Sequence, residues 1–206
     1  MDGPSLMEAI RAKGVTDPRL LAAVAATPRE RFVPPPHAAR AGLDEPIPIG
    51  HGQPTTQPSL VAEMVDALRL SGGETVLEIG TGYGYQTALL ARLAGTVYTV
   101  ERHADLADHA RANLSALGVA NAEVVVGDGT AGLPDLAPFD AIIVSAAATR
   151  VPDPLAEQLA EGGRLVMPIT TALADMVTVY GKRGGRLLRR RSLVAANFVP
   201  LIGTYA

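Results

Sequence analysis

Cysteine is absent from this chain of 206 residues, and so is tryptophan. Without cysteine there is no disulfide framework, no thiolate nucleophile and no Cys-based zinc site. An excess of positive charge is also missing. Lys and Arg number 18 against 21 Asp and Glu, for a net charge of −3, which speaks against a general binder of nucleic acid or of an anionic membrane surface. No apolar run approaches the roughly 18 residues that a membrane-spanning helix needs. The opening MDGPSLMEAI has neither a basic segment nor an apolar one, so no secretory signal is expected and a cytoplasmic location is. What remains is an ordinary globular composition, 48% hydrophobic and 19% charged, of a length that suits one domain.

Two organisations follow one another along the chain. Ser5 to Lys13 has a helical pattern, and a second helix follows Asp17-Pro18, an N-cap with proline at the first helical position. Prolines then crowd between Pro28 and Pro58, a density that forbids long regular elements and predicts an arm or lid over the rest. Helical spacing returns from Ser59 to Leu70. After Gly73, apolar strand runs (Thr75–Ile79, Val97–Val100, Glu123–Val126, Ala141–Ser145, Arg164–Pro168) alternate with helical segments (Tyr85–Leu93, Ala104–Leu117, about Pro154–Ala160). Strands that are apolar throughout are covered on both faces, so the alternation predicts a parallel sheet flanked by helices. Met176–Tyr180 and Arg186–Val194, around a glycine-rich turn, predict an antiparallel hairpin at its edge. The expected fold is α/β, a doubly wound, mostly parallel Rossmann-like sheet, in one domain over 1–206. Residues 1–58 form the helical and acceptor-binding arm, and 59–206 the cofactor-binding core.

The segment VLEIGTGYGYQTALLARL carries the first chemical signal. Gly80, Gly82 and Gly84 follow a strand and open a helix, at the end of a parallel strand where ligands of such sheets bind. A dinucleotide fingerprint requires G-x-G-x-x-G, and here the third position of that pattern is Tyr85. Glu78 stands two residues before the loop. A diphosphate gains nothing from a carboxylate, whereas a ligand bearing a sulfonium and an ammonium does. Glu101, 21 residues after Gly80, ends the next strand and is placed to accept ribose hydroxyls. Asp128, followed by Gly129, ends the third and is placed for an adenine amino group. Three acids at three successive strand ends favour S-adenosylmethionine, with S-adenosylhomocysteine as product, over NAD. Gly80, Thr81, Gly82, Gly84, Glu78, Glu101, Arg102, Asp128 and Gly129 are the expected cofactor contacts.

Several stretches together resemble the protein-L-isoaspartate O-methyltransferase family. They are the glycine segment, Pro48-Ile49-Gly50-His51-Gly52-Gln53-Pro54-Thr55-Thr56-Gln57-Pro58, Phe139-Asp140-Ala141-Ile142 with Ser145-Ala146-Ala147, Gly162-Gly163-Arg164-Leu165-Val166 and Phe198-Val199-Pro200-Leu201-Ile202-Gly203. Pro28-Arg29-Glu30-Arg31-Phe32-Val33-Pro34 has the family's character too. The resemblance implies methylation of the α-carboxylate of isoaspartyl residues in damaged proteins and peptides, followed by collapse to a succinimide. It places Thr56 where the family has an acceptor-site serine. It implies substrate contacts at His51, Gly52, Gln53, Thr55, Val199, Pro200 and Leu201. Where the family has Thr-Ile-Ser after the glutamine, this chain has Pro54-Thr55-Thr56, which keeps a hydroxyl but loses a backbone N–H.

A carboxylate acceptor is ionised at neutral pH, so its methylation needs alignment more than a general base. His51 reads as a loop residue rather than a base. His103 and His109, six apart, lack metal-ligand spacing, and no metal is expected. Arg186, Arg189, Arg190 and Arg191 read as charges guarding an edge strand. Three rival functions stand beside the repair enzyme. One is a carboxylate O-methyltransferase dedicated to an aspartate of one biosynthetic peptide. The second is an RNA methyltransferase, for which Ser145-Ala146-Ala147-Ala148 lacks the base-gripping aromatic. The third is a non-catalytic binding module. A monomer without nucleic-acid or membrane partners is expected.

Overall fold

Ser5 opens the first helix with a reciprocal cap: its hydroxyl accepts from the Glu8 N–H, and the Glu8 carboxylate accepts from the Ser5 N–H. That helix, α1, spans Leu6–Ala12. Asp17 caps α2, Pro18–Ala25, by accepting from the Arg19 N–H at 2.8 Å. The computed structural model that shows this describes residues 5–206.

Beyond α2 the prolines enforce short elements: single 3-10 turns at Arg29–Phe32 and Pro35–Arg40. They do not prevent a hairpin, β1 (Ile47–Gly50) with β2 (Gln53–Thr55), which the proline count gave no reason to expect. Its two-residue turn has His51 at φ 51° and Gly52 at φ 69°, the both-positive geometry that matches strand twist. Buried Ile47 and Ile49 alternate with exposed Pro48 and Gly50, the period-two signal of a half-buried strand.

One buried cation holds this arm in place. Arg29 is only 4% exposed. Its Nη1 donates to the carbonyls of Ala41 and Leu43, and its Nη2 to the Glu45 carbonyl and to Thr55 Oγ1 at 2.8 Å. Asp44 ties the same arm to helix α3, Pro58–Ala67, accepting from the Ser59 N–H at 2.8 Å and from Gln57 Nε2 at 2.7 Å.

The remainder follows the predicted alternation: β3 Thr75–Ile79, α4 Tyr85–Ala91, β4 Thr96–Glu101, α5 Ala104–Ala116, β5 Ala122–Val126, β6 Phe139–Val144, α6 Asp153–Gln158 and β7 Leu159–Thr170. Two long strands close the sheet, β8 Asp175–Arg183 and β9 Arg186–Ala196. The seven strands lie in the order β5-β4-β3-β6-β7-β8-β9. All pairs from β5 to β7 are parallel, and β7-β8-β9 is antiparallel. Arg186, Arg189, Arg190 and Arg191 are exposed on β9, at the sheet's edge.

Apolar residues pack on both faces. Val76, Val97, Ala141, Ile143 and Val166 meet residues of α1 to α5 on one face. Leu77, Ile79, Ile142, Val144 and Leu165 meet Leu155 of α6 on the other. Between β3 and β6 the chain reverses the direction in which it adds strands. Such a switch point leaves a crevice beyond the strand ends.

Arg29→Met keeps the apolar stem but leaves the buried Ala41 carbonyl and the part-buried carbonyls of Leu43 and Glu45 without this donor, and it is expected to destabilise the fold by about 2–3 kcal/mol. Urea denaturation measures this. A loss below roughly 0.5 kcal/mol would mean that the arm is held by other contacts.

Candidate active site

The crevice at the switch point is a cavity built on the glycine loop. The Ser145 N–H donates to the Ile79 carbonyl, and the Gly80 N–H donates to the Val100 carbonyl. Three strand ends are thereby drawn together. Each glycine leaves room for a different neighbour. A Cβ on Gly80 would stand 3.3 Å from Ser145 Cβ, one on Gly82 3.1 Å from Ile49 Cδ1 of β1, and one on Gly84 3.3 Å from Ala110 Cβ of α5. Their φ values of 95°, 55° and 90° are left-handed as well. Loop, arm and helix close on one another only because these positions carry no side chain.

Glu101, at the end of β4, is 5% exposed and lines this cavity. Its Oε2 accepts from the Gly82 N–H at 2.9 Å and its Oε1 from the His103 N–H at 3.0 Å. Each oxygen keeps a lone pair for a ligand hydroxyl. Thr81 and Arg102 line the cavity too, and Thr81 Oγ1 bonds Thr99 Oγ1 at 2.6 Å. Gly129 lines it from the far side, where a Cβ would collide with Ile79. A cradle of glycines around one well-held carboxylate fits a nucleoside-bearing ligand.

Three of the expected cofactor contacts, Glu78, Asp128 and Gly84, lie outside this lining. Side chains alternate along a strand, so Glu78 points with Val76 into the helix-covered face, not toward the strand's end. It is fully buried beneath α4, accepting from Gln86 Nε2 at 2.9 Å and from Thr87 Oγ1 at 2.5 Å. It does not line the cavity. Burial raises its carboxyl to about 7, although bonds from Thr87, Thr99 and Gln86 pull the other way. Asp128 is turned away as well. Its Oδ1 accepts from the Thr130 hydroxyl at 2.6 Å and its Oδ2 from the Thr204 N–H at 2.7 Å. Partial burial would raise its carboxyl, but these bonds prevail and hold it at about 2. Asp128 thus fastens the C-terminal turn, and Gly84 serves the packing of α5 rather than the cavity wall.

A second cavity opens beside the first, between the arm and the segment after β9. Lys13, Gln57, Leu60 and Ala196 are among its walls. The two cavities share Pro54, Thr55, Thr56, Ser145 and Val199. Thr55 is held by Arg29 and by the Ile47 N–H, which bonds its hydroxyl at 3.1 Å. Val199 to Leu201 reach the site because the C-terminal segment bonds the loop after β6. The Ala147 N–H donates to the Val199 carbonyl at 2.9 Å, and the Leu201 N–H to the Ala147 carbonyl at 2.7 Å. Val199, Pro200, Leu201 and Gln53 line the first cavity, whereas His51 and Gly52 line neither.

His51 instead latches the hairpin tip to the rim. Its Nε2 lies 2.8 Å from Asp105 Oδ2, and its ring stacks on His103 with centroids 4.2 Å apart. Among the described residues no cluster of His, Cys, Asp or Glu is arranged to hold a metal ion. Among the lining residues that the sequence did not single out are Ile49, Tyr85, Gln86, His103 and Ser145. Tyr85 and Gln86 read as ordinary first-turn helix residues. Only the topology shows that this turn forms the cavity wall.

Parallel strands with a glycine loop after β3, an acid ending β4 and an antiparallel β8-β9 edge define the doubly wound methyltransferase class of fold. The chain belongs to the protein-L-isoaspartate(D-aspartate) O-methyltransferase family, whose model matches residues 2–206. A Methanoregula boonei protein named protein-L-isoaspartate O-methyltransferase is 49% identical over 95% of this chain and 90% of its own length. An Anaeromyxobacter dehalogenans protein of the same name is 50% identical over 95% of each. Among solved structures, a protein-L-isoaspartate O-methyltransferase superposes with a TM-score of 0.85 at 28% identity, over 97% of this chain and 66% of its own. A Plasmodium falciparum protein solved in complex with S-adenosyl-L-homocysteine shares the fold, with a TM-score of 0.83 at 24% identity and 96% of each chain covered.

The Glu78 carboxyl carries a pH signature. Between an ordinary value of 4.5 and the folded value of about 7, the folded chain holds the extra proton. Stability attributable to this group therefore falls as pH rises through that window, and it is flat above. Glu78→Gln should remove this decline, so that the variant gains on the order of 1–3 kcal/mol relative to the parent between about pH 5 and pH 8. Denaturation curves that stay parallel across that range would show that the carboxyl titrates normally.

Proposed function

We propose that this protein transfers the methyl group of S-adenosylmethionine to the α-carboxylate of L-isoaspartyl residues in damaged proteins and peptides, the step that starts repair through a succinimide. The observation that carries the reading is the pair of cavities meeting at Pro54, Thr55, Thr56, Ser145 and Val199. Family membership supports it. We propose further that it acts as a cytoplasmic monomer, and its net charge of −3 speaks against nucleic acid or an anionic membrane as partner. No described helix is long and apolar enough to cross a membrane.

Glu101 would hold the ribose, with the Gly80–Gly84 loop against the rest of the donor. When bound, the sulfonium supplies an electrophilic methyl carbon. The acceptor carboxylate needs no deprotonation, its ordinary pKa being about 3.5–4. The chain's task is to align that carboxylate and to exclude water. Alignment at the shared wall falls to uncharged groups, the Thr56 hydroxyl foremost, since none of the five shared residues is charged and the Thr55 hydroxyl already accepts from Arg29 and from the Ile47 N–H. Neutral hydroxyls orient a carboxylate without neutralising it by an ion pair, so the oxygen stays nucleophilic. Pro54 offers no N–H, which leaves the acceptor backbone fewer donors in β2.

Discrimination between acceptors rests on geometry. A normal aspartate presents its carboxylate about one bond length displaced, a misplacement worth on the order of 10²-fold in rate. A methyl-transfer assay on peptides differing only in Asp and isoAsp is expected to show methylation of the isoaspartyl member alone. Thr56→Val should lower kcat/KM for that peptide by about 1–2 kcal/mol of transition-state stabilisation, with cofactor affinity little changed. Efficient methylation of the aspartyl twin, or of one specific peptide only, would instead indicate an enzyme dedicated to a biosynthetic peptide.

Calorimetry gives an independent check of the donor site. S-adenosylhomocysteine should bind and NAD should not. Glu101→Ala should weaken S-adenosylhomocysteine by about 1–3 kcal/mol. Binding of NAD as tight as that of S-adenosylhomocysteine would contradict the assignment.

A further inference from the structure

We infer that Ser145 is a second hydroxyl donor to the acceptor carboxylate, aimed by Gln86. The inference rests on the acceptor reading above. Ser145 follows β6 and lies on the wall common to both cavities. It abuts the glycine loop, where a Cβ on Gly80 would stand 3.3 Å from Ser145 Cβ. Its hydroxyl oxygen accepts a bond from Gln86 Nε2 at 3.1 Å. Among the described residues, nothing accepts its hydrogen. One side of the oxygen is thus engaged by Gln86, and the O–H is left to donate at the place where the cavities join.

Gln86 itself cannot turn over freely. It is 6% exposed, and its Nε2 also donates to Glu78 Oε1 at 2.9 Å. A flipped amide would take its donor away from Ser145 and, whenever Glu78 is ionised, would press its oxygen against the carboxylate. The buried acid that the cofactor cavity does not use thereby sets the amide, and the amide sets the hydroxyl. Gln86 Oε1 is buried without a partner among the described residues, so the amide is held by its nitrogen alone.

During methyl transfer the C–S bond breaks as the C–O bond forms. The sulfur keeps the electron pair, and the carboxylate loses its negative charge to the ester. A hydrogen bond to the carboxylate is stronger before the reaction than after it. Ser145 therefore acts chiefly in binding and aligning the acceptor, and its removal appears in KM. Gln86 is a positioning residue that acts through Ser145.

The test compares the parent with Ser145→Ala, Ser145→Thr, Gln86→Leu and the Ser145→Ala/Gln86→Leu double variant, using one isoaspartyl peptide. Thermal unfolding and S-adenosylhomocysteine binding of each variant are measured alongside. Ser145→Ala is expected to raise the peptide KM roughly tenfold with kcat within about threefold, and Ser145→Thr to restore it. Gln86→Leu should raise KM in the same sense, and the double variant should be no worse than Ser145→Ala, because both lesions break one chain. A KM unaffected by Ser145→Ala, or fully additive losses in the double variant, overturns the inference while leaving the acceptor reading intact. A parent inactive on the isoaspartyl peptide overturns the acceptor reading and this inference with it.

Discussion

A single buried guanidinium holds together the arm that walls both cavities. The arm from Thr27 to Gln57 has almost no core of its own, since Val33, Ala41 and Ile47 make up its separate apolar cluster. Such a segment cannot offset its conformational entropy by burial alone. Arg29 gathers three of its carbonyls and the Thr55 hydroxyl around one cation. Burial lowers the guanidinium's affinity for its proton, opposed by nearby charges that include Asp44 and Glu45, yet an arginine stays charged under any ordinary condition. Thr55 is thus fixed from the arm side, and its neighbour Thr56 is carried to the place where the two cavities meet. The hairpin that bears them also puts Ile49 against Gly82. The same arm therefore shapes both the donor side and the acceptor side.

The sheet supplies the other half of the arrangement. Because strand order reverses between β3 and β6, the loops after these strands face one another across the crevice. Gly80 and Ser145 are neighbours for that reason alone. The C-terminal segment then returns beside Ala147 and adds Val199 to the junction. The two cavities are brought together by topology and by small residues. This suits a displacement reaction whose barrier is lowered mainly by proximity and alignment.

Much of the fold was legible because it rests on periodicity. Apolar strands of four to six residues between amphipathic helices leave few alternatives, and Asp17-Pro18 marked a helix start that the structure reproduces. The glycine loop was legible for the same local reason. The hairpin at Ile47–Thr55 was not, because proline density masked a four-residue alternation and because His51 is an uncommon choice for a left-handed turn position. Glu78 lies outside the cavity lining for a tertiary reason. Proximity in sequence to the glycine loop suggested a ligand contact, but strand alternation turns the carboxylate under α4. Asp128 is engaged by Thr130 and Thr204, the latter 76 residues away, a partner that no local pattern predicts. Gln86 and Arg29 owe their roles wholly to tertiary contacts, and an isolated helix or turn residue carries no sign of them.

In the mechanism proposed above, methyl donor and isoaspartyl acceptor meet at the wall formed by Thr56, Ser145 and Val199. A crystal structure of the protein with S-adenosylhomocysteine and an isoaspartyl peptide tests it directly. The predicted result is one peptide α-carboxylate oxygen within hydrogen-bond reach of both Thr56 and Ser145, facing the cofactor sulfur across the gap that a methyl group fills. A peptide carboxylate bound away from those hydroxyls, with Thr56 and Ser145 touching neither ligand, would contradict it.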